Sequence, residues 1–280
     1  MMALLICLAF AAPAVAQEEE PEEVNGFLQT APGAFDDEGN RLPDKAAFPN
    51  LQTKARQSKE TSPDCRTNII SIVFHYPQGT GLADLDKKLE TMAAEDVNRL
   101  IKSTKDGFCA KDDCSSLSCG KWEAERRYAV YSPSAGYLSI LFSDFLSFGG
   151  AHPNREYRVL NYGKDGTPLT LQDVFADPDK SAPLYWEYVY SRWCAENGYK
   201  FPLHYSMMQP CEKEDDPENP SSYKGTKTIE DLGRLVFTPN GASLLLGPYE
   251  SGSNATGTVV LDLPKDELIK MGASKAIWGE

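Results

Sequence analysis

Histidine is scarce in this chain: three occur in 280 residues, His75, His152 and His204. They stand far apart, so no His-Glu-x-x-His motif or paired Asp/His metal motif can form locally, and no Gly-x-Ser-x-Gly nucleophile elbow occurs. These absences argue against a metallohydrolase or a serine hydrolase and leave no recognisable cofactor motif. Basic residues are also under-represented, with 28 Lys and Arg against 41 Asp and Glu and a net charge of −13. Phosphate backbones are held by clustered Lys and Arg, so nucleic acid is not an expected partner. A spanning helix needs roughly 20 apolar residues, and no run is that long. The longest, 3–15, is broken by Pro13 and precedes Ala14-Val15-Ala16, a small-residue cleavage pattern. A signal peptide over 1–16, cleaved after Ala16, is expected even though a positive n-region is missing. Export to the periplasm or the exterior follows as an expectation.

What is present fits a folded domain. Hydrophobic residues make up 41% and charged residues 25%, an ordinary globular balance. Setting aside Cys7 in the signal segment, six cysteines remain: Cys65, Cys109, Cys114, Cys119, Cys194 and Cys211. An even count in an exported chain favours disulfides, with fifteen pairings open. Local closure favours Cys194–Cys211 and one bridge within 109–119, with Cys65 reaching the remaining partner. The competing reading, a metal cluster at Cys109, Cys114 and Cys119, lacks the usual Cys-x2-Cys spacing and a nearby histidine; no metal site is assigned.

Residues 17–64 carry no sustained periodicity and are rich in Pro, Gly, Asp, Gln and Glu, so they read as a flexible acidic tether. Structure is expected from Asn68, where Ile70, Ile72, Phe74 and Tyr76 alternate as a strand and His75 points the other way. An amphipathic helix follows over 82–101. Three strands then form an antiparallel meander: Trp122 to Val130, Leu138 to Leu146, and one containing Tyr157 and Val159. Asp144 falls on an apolar face and needs a partner; Arg126, interrupting the neighbouring strand's apolar face, is the natural one. A short helical segment is expected at 169–175. A longer helix is expected over 181–197, with Ser181 as its cap and Pro183 in its first turn. Pro239-Asn240-Gly241 marks a hairpin, a strand runs over 258–263, and Pro264 opens a last helix ending at Gly272. The fold class is therefore α+β: antiparallel sheets in two packed lobes, each covered by helices, over 65–165 and 166–275.

Between the second and third meander strands lies Ser147-Phe148-Gly149-Gly150-Ala151-His152-Pro153-Asn154. Taken alone it is a hairpin connection with a glycine pair that permits close backbone approach. Its place in a longer order carries more. The strand and long helix precede it. Tyr162-Gly163-Lys164-Asp165-Gly166, Leu169 to Phe175, Phe237-Thr238-Pro239-Asn240-Gly241, Gly247-Pro248-Tyr249-Glu250 and Val259 to Pro264 follow. In this order the chain resembles the paired extracytoplasmic domains of the RsiV anti-sigma factor and of the peptidoglycan deacetylase PdaC, a PdaC N-terminal-type domain (DUF4163) followed by DUF3298. The resemblance implies a role at the cell wall. It implies a non-enzymatic binding module, since deacetylation in PdaC-like members belongs to a separate domain. It implies a basic protein such as lysozyme, or peptidoglycan glycan, as ligand. Gly149, Gly150, His152, Asn154, Tyr249 and Glu250 are the contact candidates it singles out. Two departures from the family pattern stand out, at Pro153 and over Ser251 to Thr256. The alternatives are a hydrolase or deacetylase using His152 with a carboxylate such as Asp144, or a structural envelope protein.

Overall fold

The computed structural model describes residues 48–61, 69–108, 122–148, 153–197, 229, 232–247 and 258–280. Strand β1 (Gln52–Thr61) is followed by β2 (Ile69–Gln78) and helix α1 (Ala83–Phe108). Strands β3 (Trp122–Tyr131), β4 (Leu138–Ser147) and β5 (Asn154–Tyr162) follow. Next come the one-turn α2 (Leu171–Val174) and the long α3 (Pro178–Asn197). A 3-10 turn (Leu232–Arg234) leads into β6 (Leu235–Thr238), β7 (Gly241–Leu246), β8 (Val259–Pro264) and α4 (Lys265–Lys270). A second 3-10 turn, Lys275–Trp278, ends the order.

The strands form two sheets, β1-β2-β3-β4-β5 and β6-β7-β8. All neighbours are antiparallel except β2 and β3, which run parallel. A parallel pair needs a crossover, and α1 supplies it. Side chains alternate across each strand, and that alternation sorts the core into layers. Tyr76, Tyr128, Val130, Leu138, Ile140 and Phe142 meet Leu85, Leu89 and Ala93 of α1 on one face of the large sheet. On its other face Ala129, Tyr131, Leu141 and Val159 meet Val236 and Leu245 of the small sheet. The far side of the small sheet, through Leu235, Phe237, Leu244, Leu246, Leu261 and Leu263, packs on Tyr185 and Val189 of α3 and Leu268 of α4. The order of layers is helix, sheet, sheet, helices, the α+β architecture expected. Ile277 and Trp278 close the second core, and the Trp278 indole N–H donates to the Thr238 carbonyl at 3.0 Å.

Two expectations need correction. Part of the segment read as tether is strand β1, fully paired with β2 over ten residues. Its side chains are mostly exposed, so no apolar alternation marks it; backbone pairing alone holds it. The long helix begins three residues early, with Asp177 at its N-terminus. The Asp177 carbonyl accepts from the Ser181 N–H at 3.0 Å, and its side chain accepts from the Lys180 N–H at 3.3 Å. Ser181 and Pro183 therefore lie inside the helix, and Pro178, not Pro183, takes the first position, where a missing N–H costs nothing.

Glycine is required at two turns. Gly79 has φ +83°, and a Cβ there would lie 2.0 Å from the Asn50 carbonyl oxygen. Gly241, after the Pro239-Asn240 turn, would place a Cβ 2.1 Å from the Leu263 carbonyl oxygen. Residues 1–16, expected as a signal peptide, residues 17–47 and 62–64 of the expected tether, the acid run at 212–218, and Cys65, Cys109, Cys114, Cys119 and Cys211 lie outside the described residues. So does the side chain of Cys194, whose backbone falls in α3.

Candidate functional site

The contact candidates fall on two strand connections. Leu146↔Asn154 is the last pair of β4 with β5, and Leu246↔Val259 the last pair of β7 with β8. The first connection carries Gly149, Gly150 and His152; the second carries Tyr249 and Glu250. All five lie outside the described residues. Their roots are described, and they are joined. The hydroxyls of Tyr157, on β5, and Thr258, immediately before β8, are 2.7 Å apart. A strand rising from the first connection is thus bonded to the last residue of the second, although the two are 101 positions apart in sequence.

The face of the large sheet beneath this bond is graded. Register builds four cross-strand rows from β3, β4 and β5. Tyr131, Ser139 and Asn161 form the first, and it is stitched to β6. The Ser139 hydroxyl donates to Asn161 Oδ1 at 2.5 Å and accepts from the Phe237 N–H at 3.1 Å. Asn161 Nδ2 donates to the carbonyls of Leu232 and Leu235 at 3.1 and 2.9 Å. Ala129, Leu141 and Val159 form the second row, covered by Val236 and Leu245. Arg127, Ser143 and Tyr157 form the third, and Glu125, Phe145 and Arg155 the fourth. In these two rows apolar contact gives way to rings and charges. The Arg155 guanidinium lies 5.5 Å from the Phe145 ring centroid, and Arg127 Nε donates to Glu125 at 2.7 Å. Ring faces beside guanidinium and carboxylate groups can stack on a sugar or peptide plane and hydrogen-bond its rim.

Asn154, the sixth candidate, opens β5 on the opposite, α1-facing side. Its Oδ1 is buried with no hydrogen-bond partner among the described residues, a group whose desolvation costs about 1–3 kcal/mol. Phe148, at the start of the first connection, packs edge-on against Trp122 at 5.8 Å. His75 is 8% exposed, faces away from α1 as its strand alternation predicts, and its Nδ1 also has no partner among the described residues.

The expected Arg126–Asp144 pair is present and is the centre of a larger network. Arg126 Nε and a terminal guanidinium nitrogen donate to the two Asp144 oxygens, each at 2.6 Å. Its remaining nitrogen donates to Asp96 of α1 at 2.7 Å, and Arg158 and Arg99 donate to Asp96 as well. Arg126 is 2% exposed, with its guanidinium 4.3 Å from the Phe74 ring centroid. Burial pushes the Asp96 carboxyl up, but hydrogen bonds from Arg158 and Arg126 outweigh it and hold the group below the ordinary carboxylate range. Burial likewise lowers Arg126, and Asp144 and Asp96 more than restore it. Both Asp144 oxygens are committed to Arg126. Sequence reasoning missed Asp96 and Arg158. Asp96 was detectable, because it stands three residues after Ala93 and seven after Leu89 on the apolar stripe of α1. The floor residues Phe145 and Arg155 were missed too; only strand register puts them side by side.

No family model and no curated protein matches the chain. Solved structures do, among them two of DUF3298 family proteins. One, from Pseudomonas aeruginosa PAO1, is 15% identical, with a TM-score of 0.52, over 81% of this chain and 96% of that one. The other, from Bacteroides fragilis, is 14% identical, with a TM-score of 0.50 over the same shares. The layered arrangement built above is accordingly the fold found in these DUF3298 family structures.

Proposed function

We propose that the chain is an exported, non-enzymatic binding module of the cell envelope, related to the RsiV and PdaC extracytoplasmic domains, that holds a wall-related ligand between its two joined connections. The observation that carries this reading is the Tyr157–Thr258 bond, which brings the roots of both candidate segments to one end of the molecule. Phe145 and Tyr157 supply ring faces on the floor, and Arg127, Arg155 and Glu125 supply hydrogen-bonding rims. The net charge of −13 favours encounter with a basic protein such as lysozyme, while the two floor rings favour a glycan strand.

Titration of the full chain with solubilised peptidoglycan and, separately, with lysozyme tests the reading. Saturable binding to one of them, weakened at least tenfold by Phe145→Ala, is the expected result. Absence of binding to both overturns it, as does turnover of acetylated glycan that disappears in His152→Ala. An exclusively structural role would leave every titration flat.

A further inference from the structure

The two edges of the large sheet differ in how they end. β5 is met by the 3-10 turn Leu232–Arg234. β1 forms the opposite edge, and among the described residues its only strand neighbour is β2. Its register is antiparallel and continuous from Gln52 to Thr61, with neither proline nor glycine. In such a ladder alternate residues turn their N–H and C=O groups outwards, and a row of these groups is a template for another strand. From Lys54 to Lys59 every side chain except Ser58 is exposed.

Charge decides which strand the template accepts. Lys54, Arg56 and Lys59 outnumber Glu60, the one carboxylate of this strand, in a chain of net charge −13. Arg56 is shared with Glu90 of α1 at 2.5 Å, and Lys54 and Lys59 are in no ion pair among the described residues. Like charges facing each other across strands destabilise pairing, so a second copy of β1 or any basic strand is rejected. Lys54 and Arg56 share the α1-facing side and Lys59 lies on the other, so a strand with carboxylates on both of its faces is matched. We propose that the open edge of β1 receives an extended acidic segment of a partner protein by strand addition. This edge is the opposite one from β5, and strand addition here does not depend on what the candidate site binds.

The test uses the full chain and two labelled twelve-residue peptides, one repeating Glu-Glu-Thr-Thr and the other Lys-Lys-Thr-Thr, so that each strand face carries charge. Fluorescence anisotropy is expected to show salt-sensitive binding of the acidic peptide alone. Hydrogen exchange is expected to slow within 52–61 when it binds. Lys54→Glu combined with Lys59→Glu should weaken binding at least tenfold, and the corresponding Ala pair should weaken it less, with thermal melting unchanged in both. Equal binding of the two peptides, indifference to the double substitution, or protection confined to other strands overturns the proposal. It is also overturned if β1 is already protected in the free chain and loses that protection when Glu18, Glu19, Glu20, Glu22 and Glu23 are changed to Gln. The chain's own acidic run would then be the occupant.

Discussion

The large sheet buries polar groups on both faces, and it handles them in opposite ways. Towards α1 the groups are ionic: three guanidiniums and two carboxylates meet around Asp96 and Arg126. Towards the small sheet they are neutral: Ser139 and Asn161 satisfy backbone groups of β6 and of the turn before it. Solvent access accounts for the difference. Arg158 and Arg99 keep 35% and 72% of their side chains exposed, so the ionic cluster reaches water at its rim and only Arg126 and Asp96 are fully desolvated. Ser139 and Asn161 are themselves buried at the sheet–sheet seam, and buried charge there would cost several kcal/mol per ion. The ionic cluster anchors a helix on the sheet, whereas the neutral one closes the otherwise open edge of β6.

Breaking the ionic face should cost most. Arg126→Met leaves Asp144 and Asp96 without their shared donor, and urea unfolding should show a loss of about 3–5 kcal/mol. A loss below 1 kcal/mol would mean the cluster is dispensable. On the neutral face, Asn161→Ala strips the donor from two carbonyls and should cost about 2–3 kcal/mol. A smaller loss than for Arg126→Met is the sign that the two faces differ in kind. The comparison sharpens with pH. The Asp96 carboxyl is held below its ordinary value in the folded state, so its stabilising share is present above the unfolded pKa. That share is lost as pH falls through the folded pKa. Asp96→Asn should therefore flatten the acid limb of a stability-against-pH curve, and Asn161→Ala should leave that limb's slope unchanged. The smallest effect is expected at the seam's margin. Tyr157→Phe removes one hydroxyl bond and should cost about 0.5–1.5 kcal/mol, while weakening the ligand binding proposed for the two connections.

Much of the fold was legible in the sequence. Ile70 to Tyr76, Leu138 to Leu146 and the Leu85–Leu89 stripe announce buried faces by their spacing, and Pro239-Asn240-Gly241 announces a hairpin by its turn chemistry. β1 was not legible: a polar edge strand buries too little to leave a pattern. The start of α3 was misplaced because Ser181 is an equally good cap by residue type, and only the Asp177 hydrogen bonds distinguish them. At the candidate site, Asn154 was placed at the foot of the first connection, while Tyr157 and Thr258 went unnoticed as partners.

By itself the sequence determined the acidic charge, the α+β class, most element positions and the Arg126–Asp144 pair. Those features follow from local spacing and from the cost of leaving a buried ion alone. Tertiary structure alone decided that the small sheet covers only part of the large one, that Asp96 completes the ionic cluster, and that the roots of two distant connections meet at Tyr157 and Thr258. Such contacts depend on strand register and on how two sheets stack, and neither is encoded in any short stretch of the chain.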